Sequence, residues 1–167
     1  MRRPLIVFVG GGLGACVRAL LLVGLQPWDA RLPIPVLLAN MLGAFALGVV
    51  YVLADEAGVL GTDTRLFLAV GVLGGFTTFS TFSWGADLLL VNGHELAGLV
   101  YLAASLLGGM TAVWVGFRVG RALGAARGWT PAPASASRPS RPSRPSRPSG
   151  ATADIASIEA EDRDESA

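Results

Sequence analysis

Between Leu73 and Trp84 the chain reads LGGFTTFSTFSW, a dozen residues that crowd together two glycines, three phenylalanines and five hydroxyl side chains. Hydroxyls without an adjacent base are poor nucleophiles, but they can replace the water around a small ion. Two other stretches offer the same kind of group. Asn40, Ala44 and Gly48 recur four residues apart, as do Tyr101, Ser105 and Gly109, so each set shares one face of a helix. Arg18 adds a positive charge within an apolar run. Phenyl edges carry positive quadrupole density that can face an anion, whereas freed backbone carbonyls suit a small cation.

Catalytic machinery is absent from this inventory. His94, the single histidine, falls in a loop, and Asp87 is the one acid well inside an apolar run. Cys16 is the single cysteine, which excludes an intrachain disulfide and a thiolate metal cluster. The segment LIVFVGGGLGACVRAL imitates a nucleotide-binding fingerprint, with Gly10-x-Gly12-x-x-Ala15 and Asp29 further on. That motif requires a βαβ unit, and the segment after it is another long apolar run. A helix accounts for these glycines better: Gly10, Gly14 and Arg18 share a face, as do Gly11 and Ala15, and small residues four apart let helices approach closely. A charge such as Arg18 costs ~2.5–3.5 kcal/mol at a bilayer centre. It either snorkels toward the Leu25 end, about 10 Å away, or attracts an anion or fixes an interface.

These groups need elements to hold them. Mean hydropathy is +0.56 and charged residues make up 15% of the chain. Apolar runs extend over Leu5–Leu25, Pro35–Ala54, Leu66–Val91 and Leu96–Phe117, each close to the ~20 residues that cross a ~30 Å hydrocarbon core. They lack the alternation of barrel strands. The prediction is an all-α membrane protein with spans at about 4–25, 34–54, 65–91 and 95–117, joined by short loops into an up-down bundle. On an unbroken third helix Thr77, Ser80 and Thr81 would share a face beside a ridge of Phe76, Phe79 and Phe82. Gly74 and Gly75 predict that this helix is broken near Gly74–Thr77, freeing backbone groups that must find protein, water or ions.

Residues 1–127 are thus expected to form one transmembrane domain. From residue 128 onward four Arg-Pro-Ser repeats and an acidic finish predict a disordered tail. Arg2, Arg3, Arg65, Arg118, Arg121 and Arg127 flank one side of the spans, against Arg31 on the other, which predicts that both termini are cytoplasmic. The opening residues through Cys16 imitate a lipoprotein signal, but the apolar run continues to full spanning length.

The segments GGGLGACVR, LLANMLGAFALG and above all GGFTTFSTFS resemble the CrcB/Fluc family of fluoride channels, over about residues 4–120. The resemblance implies an antiparallel dimer with two pores in the cell membrane. It implies a structural sodium ion at the dimer interface, held by the backbone carbonyls of Gly74 and Thr77. Phe79 and Phe82 would be the ring pair along the pores, with Asn40, Ser80 and Thr81 among the polar pore groups. Tyr101 and Ser105 would form the track on the fourth helix, and Arg18 would be the arginine of the first. The implied activity is passive, fluoride-selective export from the cytoplasm that reduces fluoride toxicity, without enzymatic chemistry.

Three positions depart from that pattern: Val36 where a threonine is common, Gly85 where a glutamate is common, and Gly109 in place of a third hydroxyl. Two other readings compete. A small multidrug exchanger needs an acid in its first helix, where this chain has Arg18. A structural subunit of a heterodimeric channel would keep every packing feature. The six-to-one arginine bias also disfavours insertion of one chain both ways, so the expected partner is either a second copy or a homologous subunit of opposite orientation.

Overall fold

The structure is a computed structural model that describes residues 2–28 and 32–129. The Arg-Pro-Ser tail and the loop residues Asp29 and Arg31 lie outside the described residues. Four helical stretches are long and apolar enough to cross a membrane: Arg2–Gly24, Ile34–Glu56, Thr62–Val91 and Glu95–Ala126. The described residues contain no strand.

The first stretch is a single helix, α1 (Arg2–Gly24). Helix α2 (Ile34–Tyr51) starts with Pro35 in its first turn, where a missing N–H leaves no bond unmade, and continues as one π-helical turn through Val52–Glu56. The third stretch is composite. Helix α3 (Thr62–Arg65) runs into a π-helical segment (Leu66–Val72) and then α4 (Leu73–Phe76). Thr77 and Thr78 are extended, and α5 (Phe79–Val91) follows. Gly74 and Gly75 therefore lie in helical geometry, and the extended pair begins two residues later.

Helix α6 (Glu95–Ala126) completes the bundle. Its 32 residues rise about 48 Å, well beyond a ~30 Å hydrocarbon core. Hydropathy fades near Phe117, yet the helix goes on because its far end packs against the second stretch. A Cβ at Gly120 would stand 2.9 Å from the Val52 side chain. Beside it, Arg121 grips Glu56 with two parallel bonds of 2.9 Å from Nε and Nη2. Arg65 pairs with Asp55 at 3.1 Å and Arg2 with Asp63 at 3.4 Å. These half-exposed pairs contribute little energy each, about 0–1 kcal/mol. They place the start of α1, the end of the second stretch, the start of the third and the end of α6 at one end of the bundle.

Two seams have backbone against backbone. Gly10 and Gly14 of α1 are buried on the third stretch, as the shared small face predicts. A Cβ at Gly10 would meet the Phe67 carbonyl at 2.8 Å, and one at Gly71 would meet Gly10 Cα at 2.9 Å. At Gly14 it would collide with the Val72 carbonyl, and at Gly75 with that of Gly11. Along α2 and α6, Gly48 and Gly116 do the same, each against the other's backbone. A third contact differs in kind. Ala86, Leu89 and Tyr101 bury one another between α5 and α6, with Leu32, Phe82 and Ala97 packed around them.

Candidate functional site

The polar residues singled out by sequence converge on Thr77 and Thr78. In an unbroken helix the Thr78 N–H would bond the Gly74 carbonyl, and the Phe82 N–H would bond the Thr78 carbonyl. The first is replaced, because Asn40 on α2 takes the Thr78 N–H, while the Thr78 carbonyl, at the N-cap of α5, starts that helix and also accepts from Asn40. Its Oδ1 accepts from the Thr78 N–H at 2.8 Å, and its Nδ2 donates to the Thr78 carbonyl at 3.0 Å. A side chain thus satisfies the backbone much as a neighbouring strand would, and the Gly74 carbonyl loses its helical donor. Gly74 is exposed, with open space where a Cβ would stand.

Arg18 holds the other member of the pair. Its Nη1 donates to the Thr77 carbonyl at 3.0 Å, which deals with its intramembrane charge by a backbone acceptor rather than by snorkelling alone. The Thr77 side chain turns back, donating from Oγ1 to the Leu73 carbonyl at 3.0 Å.

Thr78 is the residue that sequence reasoning missed. It is buried, and its Oγ1 accepts from the Thr81 N–H at 3.2 Å, capping α5. The same hydroxyl donates to Thr81 Oγ1 at 3.1 Å and lies 3.2 Å from Ser80 Oγ. Ser80 and Thr81 therefore belong to one hydroxyl cluster whose hub is Thr78, not Thr77. A threonine directly ahead of a segment of recurring apolar residues is an N-cap signal and would have marked it.

From this cluster a ladder of rings leads to α6. Phe79 and Phe82 are tilted with centroids 5.7 Å apart, and Phe82 and Tyr101 are 5.5 Å apart. Tyr101 is buried to 2% exposure while Phe79 is 79% exposed, so the ladder runs from the interior to an open face. One turn beyond Tyr101, Ser105 Oγ is buried without a hydrogen-bond partner among the described residues. The open face is grooved: Asn40, Gly74, Thr77, Phe79, Phe82 and Gly109 all line one depression of about 390 Å³.

Of the three departures from the family pattern, two now have a physical setting. A Cβ at Gly85 would meet the Pro33 ring at 2.8 Å, so that ring occupies the room a longer side chain would need. Val36 is 5% exposed beneath it. Gly109 faces open space.

Among the described residues no three His, Cys, Asp or Glu side chains gather as a metal site. The oxygens available to a hard cation are backbone carbonyls. Gly74's fits, being released and exposed, and Thr77's keeps a second lone pair beside the Arg18 bond.

A family model described as CrcB-like protein, Camphor Resistance (CrcB), matches residues 5–117. A Thermus thermophilus protein named Fluoride-specific ion channel FluC is 42% identical over 128 residues, covering 74% of this chain and 97% of the relative. Proteins of the same name from Chlorobium chlorochromatii and Rhodospirillum centenum are 39% and 44% identical. Their alignments span 112 and 108 residues, or 67% and 64% of this chain and 87% and 86% of the relatives.

Proposed function

The chain belongs to the CrcB-like family, one of fluoride ion channels rather than enzymes, and from that premise we propose that it passes fluoride selectively and passively out of the cytoplasm, reducing fluoride toxicity. The observation that carries this reading is the continuous run of Ser80, Thr81, Phe79, Phe82, Tyr101 and Ser105, anchored through Thr78 and Asn40. Fluoride is strongly hydrated, so a pore must offer replacement donors at each step and still bind weakly enough for release. Hydroxyls and the buried Ser105 Oγ supply donors, ring edges supply positive density between them, and Arg18 keeps further N–H donors after its one bond to Thr77.

Function in this reading requires two chains. Phe79 ends the ladder on an open face, so a single chain leaves one wall of the path to lipid. An antiparallel partner would close it. It would also bring its own Gly74 and Thr77 carbonyls to complete the shell of a structural sodium ion, to which two oxygens from one chain are too few. When bound, that ion would supply positive charge at the interrupted third helix.

The partner is either a second copy or a homologous subunit inserted the other way. Arginine bias favours the latter, with this chain's termini cytoplasmic. Reporter fusions at the C-terminus are expected to read a single, cytoplasmic orientation; equal signals on both sides would sink the two-subunit version. The apolar surroundings of Val36 and Gly85 favour a second reading, in which this chain is chiefly the structural half of such a heterodimer.

Fluoride efflux from proteoliposomes, with chloride as the comparison ion, tests the proposal. Selective flux from the chain alone supports the channel reading, and flux requiring the homologue supports the structural-half version. No selective flux from either rejects both.

A further inference from the structure

At the end of the bundle opposite the ion pairs, α2, α5 and α6 line a cavity of about 680 Å³, with exposed Asn92 and His94 on its outer side and Thr81 and buried Val36 and Gly85 at its floor. We propose that this cavity is an anion-capture chamber leading to the hydroxyl and ring path, and that the charge carried by His94 sets how often it is filled. The proposal rests on the channel reading and adds to it a site and a control.

Continuity is the first argument. Thr81 lines the chamber, and its Oγ1 accepts from the hub hydroxyl of Thr78, so the floor of the chamber is itself a member of the polar cluster. Beside it, a Cβ at Gly85 would stand only 3.8 Å from the Tyr101 hydroxyl. An anion resting on that floor is next to both halves of the path.

Electrostatics supplies the second. Most of the lining is apolar, with Leu32, Pro33, Val36, Leu88 and Leu89 among its walls. Low-dielectric walls focus the field of any charge at the mouth and raise the local concentration of counter-ions by about 10-fold or more. Among the described residues, His94 is the one lining residue that can carry a full charge. On the elements that form the chamber the other ionisable groups are Asp87 on α5, Glu95 beside His94 and the Tyr101 phenol on α6, and at the far end Arg118 and Arg121. None of these lines it, and α2 carries no acid or base from Ile34 through Val50. Asp29 and Arg31 lie outside the described residues. Histidine side chains change charge between about pH 5 and 8, and the charged ring presents two N–H donors where the neutral ring has one. Capture should therefore strengthen as pH falls through that range, with Asn92 providing a neutral amide that does not change.

The test is fluoride efflux from proteoliposomes of the full chain at pH 6 and pH 8. The pH is kept equal on both sides so that orientation in the vesicle has no influence, and leak is subtracted with protein-free vesicles. Wild-type flux is expected to be about threefold greater at pH 6. His94→Gln should run at the wild-type pH 8 rate at both values, and His94→Lys should run at the faster rate at both. His94 is exposed, so neither variant disturbs the core. Flux that ignores pH in the wild type, or a pH response that survives in His94→Gln, overturns this proposal and leaves the channel reading standing. Absence of fluoride flux at every pH overturns both.

Discussion

Asn40→Ala is expected to abolish fluoride flux and to lower the stability of the folded chain by roughly 2–4 kcal/mol. The reason is that the Thr78 N–H, whose partner is Asn40, is left unpaired at a cost of about 1–3 kcal/mol, and the Thr78 carbonyl loses its second donor, about 1 kcal/mol more. The chain has one way to avoid that cost. Thr77 and Thr78 can rotate from ψ near 157° and 121° into helical geometry, giving the Thr78 N–H back to the Gly74 carbonyl. Doing so removes the cap on α5, withdraws the Thr77 carbonyl from Arg18 and scatters the hydroxyl cluster. Either outcome destroys the path. Asn40→Asp preserves an acceptor for the Thr78 N–H but sets an oxygen against the Thr78 carbonyl, and is expected to be equally inactive with a smaller loss of stability. Fluoride efflux and thermal melting in detergent measure the two effects. Flux close to the wild-type rate in Asn40→Ala would remove Asn40 from the site.

Replacing Phe79 and Phe82 together by isoleucine should lower fluoride flux about 30-fold while leaving the protein assembled. If each ring edge contributes on the order of 1 kcal/mol to a dehydrated anion, two rings amount to ~2 kcal/mol, and each 1.4 kcal/mol is about tenfold. Isoleucine keeps apolar bulk at both positions, and Phe79, largely exposed within one chain, contributes little to the chain's own core. The polar anchors at Thr78, Asn40 and Arg18 do not involve either ring. Size-exclusion profiles should therefore match wild type. Unchanged flux would mean that the rings are packing only, and a collapsed profile would mean that they hold the assembly.

Much of this was legible in the residues. The four apolar runs and the small-residue face of Gly10 and Gly14 follow from hydropathy and four-residue spacing, and the glycines do lie against the third stretch. The grouping of Asn40 with Ser80 and Thr81 was also readable as polar faces turned away from lipid. What could not be read was who bonds whom. Arg18 and Thr77 are 59 residues apart, and no periodicity connects a guanidinium with a backbone carbonyl at that separation. The role of Thr78 escaped because a face drawn on an ideal helix assigns hydroxyls by their angle, and the two extended residues rotate everything after them. Similarly, Gly75 is a contact point with Gly11 as much as a weak helix former, and only a neighbour's position reveals that.

The glycine seam between α1 and the third stretch has a mechanical consequence. With no side chains interposed, there is nothing between the two backbones that can change rotamer, and sliding either one by half a residue drives carbonyls into Cα atoms. That half of the molecule is a strut. Across from it, α5 meets α6 through side chains, Leu89, Phe82 and Tyr101, which can repack at small cost. Any breathing that lets an ion advance must therefore come from the aromatic side, so the pathway works as a hinged panel against a fixed wall, and a crosslink between residues flanking the glycine seam should leave conduction untouched.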